Sequence, residues 1–116
     1  MVIKVYEAYN ILSVIEKLKE QGLKYPISTA YKLHKLYDEL CKIETFIIDR
    51  YTQIFGTNID FDNLTNKQQE VYAAILDSDI EISNDCIPKI DEILNDKAEL
   101  SIADIKILDE ILKKQQ

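Results

Sequence analysis

The sequence predicts a mainly α protein: a long antiparallel helical hairpin, a third helix, a short two-stranded or extended element and a C-terminal helix. Three observations carry this. Apolar residues recur at alternating three- and four-residue steps over residues 29–55, the period of one helix face. The 116 residues include only two Gly and two Pro, so few points can break a helix. The β-branched alternation of Ile80-Glu81-Ile82 supplies a strand signal.

Taken in order, residues 2–21 read mainly as a helix, with Ala8, Ile11, Leu12, Ile15 and Leu18 on one face. The opening six residues alternate around Lys4 and could instead form a short strand. Gly22 suits the left-handed position that ends a helix. Tyr25 precedes Pro26 and is pushed away from helical geometry, and Ser28 is the expected N-cap of the next helix.

The second helix is expected over residues 29–55. Leu33, Leu36, Leu40, Ile43, Ile47 and Ile54 form a heptad-like seam, with Arg50 as its one polar position. A second stripe of Tyr37, Cys41, Ile48, Tyr51 and Phe55 widens the apolar face, so contacts on two sides are expected: the first helix on one, the C-terminal half or another subunit on the other. Gly56 ends the helix.

Asn58, Asp60, Asp62 and Asn63 are turn formers, and Thr65 with Gln68 has capping-box spacing for a third helix ending by Asp77. Val71, Ala74 and Ile75 are its expected buried side. Residues 86–95 could be helix or strand around Pro88, and the reading leans to extended structure paired with residues 79–83. Ser101 and Asp104 resemble a second capping box; Ile105, Leu108, Ile111 and Leu112 then share a face, and Lys113 and Lys114 favour the helix's negative end.

The length fits one domain, residues 1–116, with the hairpin in 1–56 and an acidic, α/β-like half in 57–116. The net charge of −7 is uneven. Residues 1–56 carry eight Lys/Arg and seven Asp/Glu, a net of +1; residues 57–116 carry six and fourteen, a net of −8. A nucleic-acid binder needs a basic surface to displace phosphate counterions, so no direct nucleic-acid contact is expected. Cys41 and Cys86 lie far apart, no secretory segment is visible past Lys4 and Glu7, and no apolar run approaches the roughly 20 residues that span a bilayer. The expected setting is therefore a reducing cytoplasm, without membrane.

Candidate chemistry is sparse. His34 is the sole histidine, with Asp38 one helical turn on as its only near partner; a surface imidazole is the simpler account. Asn58, Asp60 and Asp62 alternate like the start of a calcium loop, but Asn63 replaces the required Gly and Gln69 the twelfth-position Glu, so a turn is expected. No Walker loop, nucleophile elbow, His-Glu-x-x-His or Gly-rich cradle occurs, so neither an enzyme nor a cofactor or metal site is expected. Two surfaces stand out. Tyr25, Tyr31, Tyr37, Ile48, Tyr51 and Phe55 form a candidate protein interface, since tyrosine packs its ring while keeping its hydroxyl wet. Asp77, Asp79, Glu81, Asp85, Asp91, Glu92 and Asp96 form a candidate acidic docking surface, against the plainer reading of a solvated face.

Three features together carry a family resemblance: the N-terminal helix and its connector over 18–26; Ala30-Tyr31-Lys32-Leu33 leading to Lys35-Leu36, Leu40 and Glu44; and the late block Asp79-Ile80-Glu81-Ile82, Ile87-Pro88-Lys89-Ile90, Leu100-Ser101 and the helix over 103–112. In these the chain resembles small bacteriophage-encoded helical proteins of unknown function. The resemblance implies a phage-encoded, non-enzymatic protein. With the two apolar stripes of the second helix, the expected function is that of a phage accessory or structural protein, in the host cytoplasm or associated with the virion, that acts by contact with a protein (itself, a host protein or a virion protein) as a homo-oligomer. The alternative is a small acidic inhibitor, a nucleic-acid mimic directed at a host nucleic-acid-binding defence protein. The resemblance transfers no functional residues.

Overall fold

Val2, Ile3 and Lys4 are followed by Glu7, whose Oε1 accepts the Lys4 N–H at 3.0 Å and starts a helix there. The N-terminal segment therefore divides into strand β1 (Val2–Lys4) and helix α1 (Val5–Glu20), the strand alternative having prevailed for the first residues. The structure, a computed structural model, describes residues 1–56, 60, 62–94 and 96–112. After α1 come α2 (Ile27–Phe55), α3 (Asn66–Leu76), β2 (Asp79–Glu81), a 3₁₀ turn (Asn84–Cys86), α4 (Ile90–Ile93) and α5 (Ile102–Leu112).

Helix α2 is unbroken, as its periodicity predicts. Its 29 residues span about 43 Å at 1.5 Å each. That matches the 45 Å long axis of the molecule, so α2 sets its length. It begins two residues earlier than expected. Pro26 occupies the N-cap position with no side-chain cap, and Ser28 lies inside the first turn. Proline there needs no amide partner and pre-sets φ, so the helix starts without the hydroxyl. Gly56, at φ +84, stops it.

The core is centred on α1 instead of α2. Seven of the 16 residues of α1 are buried, against five of the 29 of α2. Helix α1 lies between α2 and α5 and is covered on several sides. The main core gathers Ile11, Val14 and Leu18 of α1, Leu36 and Leu40 of α2, Ile82, Ile93, and Leu108 and Leu112 of α5. A smaller core gathers Val5, Ile47, Tyr51 and Ile75, where α3 closes on the C-terminal half of α2.

Strand β2 pairs antiparallel with β1, in the register Val2↔Glu81, Ile3↔Ile80, Lys4↔Asp79. Among the described residues the expected pairing of residues 79–83 with an extended 86–95 does not form. Instead Ser83 Oγ accepts the Asp85 N–H and opens the 3₁₀ turn, and residues 90–93 make one helical turn with Ile90 and Ile93 buried. The β-branched residues there are drawn inward by the core, which overrides their strand propensity. Both predicted capping boxes are present: Thr65 with Gln68, and Ser101 with Asp104. On α5, Leu108, Ile111 and Leu112 are buried, while Ile105 is 42% exposed. Lys113 and Lys114 lie outside the described residues, as do Asn58 and Ile59 of the rejected calcium loop. Asp60 closes its own turn: its carboxylate accepts from the Asp62 N–H and the Asn63 side chain.

Candidate functional site

The C-terminal half of α2 turns Ile47 and Tyr51 inward. Residues four apart lie on one helical side, so Phe46, Arg50 and Ile54 form a ridge beside that buried line. Phe46 is 60% exposed and Ile54 52% exposed. Across from the ridge stand Val71, Ala74 and Ile75 of α3, held at that angle by the smaller core. Between the two helices runs a groove of about 420 Å³, floored by Val5, Ile47 and Ile80 and rimmed by Arg50, Ser78 and Asp79. Its apolar walls and sparse polar rim have the make-up of a protein-contact surface.

Around the helix from this groove, Ile48 is 48% exposed and lines a second hollow of about 270 Å³ with Tyr9, Glu44, Tyr51 and Tyr72. Tyr51 and Tyr72 meet edge to face, with ring centroids 5.7 Å apart. Desolvation raises the phenol pKa of Tyr51 and of Tyr9.

The six interface residues expected from sequence therefore fall at two places, five of them on α2 and Tyr25 in the connector before it. Tyr25 and Tyr37 stand half-buried where α1 and α2 meet, and Tyr31 is exposed with Lys35 Nζ 4.8 Å over its ring. Tyr25 donates its hydroxyl to the Ile93 carbonyl at 2.8 Å, so it is engaged within its own chain. Ile48, Tyr51 and Phe55 stand at the other end. Tyr51 is only 1% exposed and Phe55 packs on it, at 5.0 Å between rings. Tyr51 is thus a core residue: of the two covers expected for this stripe, the C-terminal half or another subunit, α3 of the C-terminal half takes the place over Tyr51. Of the second stripe, Ile48 keeps the most exposed apolar side chain.

The groove's most exposed large apolar residue, Phe46, was missed. Its signal was an aromatic ring set among the polar residues Lys42, Thr45, Asp49 and Arg50, away from both stripes. Val71, Ala74 and Ile75 were expected to be buried; only Ile75 is, with Val71 half-buried and Ala74 exposed.

The seven acidic candidates do not form a uniform set. Asp77, Glu81, Asp85, Asp91 and Asp96 are exposed. Asp79 forms an ion pair with Lys4 at 3.0 Å, across the strand register. Glu92 is half-buried and accepts the Thr29 hydroxyl at 3.0 Å, tying α4 to the start of α2.

Among the described residues no group of three or more His, Cys, Asp and Glu could hold a metal ion. His34 Nε2 lies 3.5 Å from Asp38, both side chains exposed. The buried Cys86 thiol faces Glu39 Oε1 at 3.6 Å; burial first, then the Glu39 charge, raise its pKa, which keeps it a thiol and a poor nucleophile. Among the described residues no helix is long and apolar enough to cross a membrane. No family model, curated protein or solved structure matches the chain.

Proposed function

We propose that this protein acts by protein–protein contact, as a phage accessory or structural protein, and that its first partner is a second copy of itself. One observation carries the reading: Phe46 and Ile54 stand exposed along the apolar groove between α2 and α3. An aromatic anchor beside a groove is the usual core of an interface.

Charge complementarity supports a second copy. Lys42 and Asp49 are exposed on either side of Phe46, four and three residues away. Two α2 helices crossing antiparallel about a two-fold axis at Phe46 bring Lys42 of each copy to Asp49 of the other. Such an interface is self-complementary, as closed dimers require. The helix lies in the half of the chain with net charge +1, and the one carboxylate that the acidic half adds to the groove, Asp79, is already paired with Lys4. The acidic-inhibitor alternative has weaker support, because Lys4 neutralises Asp79 and Glu92 is engaged by Thr29.

Sedimentation velocity from about 5 to 500 μM tests the reading, a span covering typical weak to moderate affinities. The wild type is expected to reach a dimer mass and Phe46→Glu to stay monomeric. Lys42→Glu and Asp49→Lys should each weaken association, and the double reversal should restore it. A wild type that remains monomeric throughout overturns the proposal.

A further inference from the structure

We propose that the mouth of the helical hairpin is a binding site for a small amphipathic carboxylate, a ligand with an apolar body and one anionic end. The site is a hollow of about 270 Å³ where the end of α1, the connector and the start of α2 meet. Leu18, Leu23, Tyr25, Leu33 and Tyr37 supply most of its apolar wall. The connector is pinned: the Tyr25 hydroxyl donates to Ile93, and Gln21 exchanges hydrogen bonds with the backbone of Glu99. The hollow therefore exists without a ligand to shape it, as small-molecule sites usually do.

Charge selects the occupant. Besides the phenols of Tyr25 and Tyr37, the ionisable groups that line the hollow are Lys19 and His34; no carboxylate is among its described lining residues, and Asp38 lies 3.5 Å from His34 Nε2. Lys19 Nζ is held 4.9 Å over the Tyr37 ring, which keeps its ammonium at the wall of the cavity. This polarity runs against the molecule as a whole. The chain has a net charge of −7, yet residues 17–35 carry five lysines and one carboxylate, Glu20. The first turn of α2 also lacks an acidic residue that would offset the positive end of the helix. An apolar body can fill the hollow while its carboxylate meets Lys19, with His34 beside it. A cationic ligand would meet the Lys19 ammonium as a like charge.

Size narrows the class. At roughly 30 Å³ per water the hollow has room for about nine water-sized groups. A C6–C8 chain or a single-ring carboxylic acid matches it. Ligands this small bind weakly, with a Kd on the order of a millimolar.

Amide-resolved NMR titration of the full chain with heptanoate, against neutral heptanamide, is the test. Heptanoate should shift Lys19, Leu23, Ala30, Leu33 and His34, with heptanamide about tenfold weaker, as for loss of a charge-assisted contact. Lys19→Met should weaken heptanoate several-fold and leave heptanamide unchanged. Ala30→Trp, at an exposed position on the lining, should abolish both while the helical circular dichroism persists. Equal binding of acid and amide, shifts that fall elsewhere, or an unaltered Lys19→Met variant overturns the proposal.

Discussion

Asp104 joins the two ends of the chain, and removing its side chain should cost about 2 kcal/mol. Its side chain is 8% exposed and accepts two contacts of 2.9 Å from Lys17 Nζ, 87 residues away. It also accepts the Ser101 N–H at 3.2 Å, as half of the capping box that starts α5. A charge-assisted hydrogen bond contributes about 1.5–3 kcal/mol. Lys17 is 47% exposed and regains water when the partner is lost, which reduces that contribution to about 1 kcal/mol. The lost Ser101 bond adds about 0.5–1 kcal/mol. The Asp104→Ala variant should therefore melt about 8 °C lower, at about 4 °C per kcal/mol for a chain of this length. Asp104→Asn keeps an acceptor and should lose about half as much.

The effect has a pH signature. The Lys17 bond, against the opposing effect of burial and with help from Ser101, holds the Asp104 carboxyl below its ordinary value. A depressed folded-state pKa stabilises above the unfolded value, about 3.9, and that stabilisation is lost as pH falls through the folded value. The gap between wild type and Asp104→Asn, measured by urea denaturation with circular dichroism, should be full at pH 7 and should shrink below pH 4. A double-mutant cycle with Lys17→Met should return a coupling of about 1 kcal/mol. An Asp104→Ala variant within 0.5 kcal/mol of wild type, below ordinary charge-assisted bond strength, or a pH-independent gap, would refute the reasoning.

Two further outcomes follow from packing and backbone. Leu40, 2% exposed in the main core, should lose about 3 kcal/mol on truncation to Ala, within the usual cavity range, read as a lower urea midpoint with an unchanged slope. Gly56→Ala should lose about 1–3 kcal/mol by the same assay, because φ +84 and ψ −176 strain any side chain; a Cβ there meets nothing within 4 Å, so sterics add nothing.

Helices α1, α2, α3 and α5 were legible because their signals are local, whereas the single turn of α4 was not. The seam from Leu33 to Ile47 repeats every three or four residues, and each capping box closes over three. The candidate site was legible only in part. Ile48 lies on the predicted stripe and keeps its exposure, but Tyr51, on the same stripe, is covered by α3. No periodicity within α2 records which side another helix will take, and Phe46 belongs to neither stripe.

From the sequence alone came the unbroken α2, its stop at Gly56, the starts of α3 and α5, and the uneven charge. Each depends on residues within a turn or two of one another, where backbone geometry and side-chain spacing decide. Tertiary structure alone decided that β2 pairs with β1, that residues 90–93 form a helical turn with Ile90 and Ile93 inward, that α1 forms the centre, and that Lys17 meets Asp104. Those choices are settled by which apolar surfaces best bury one another across the whole chain, a competition that no short window of sequence contains.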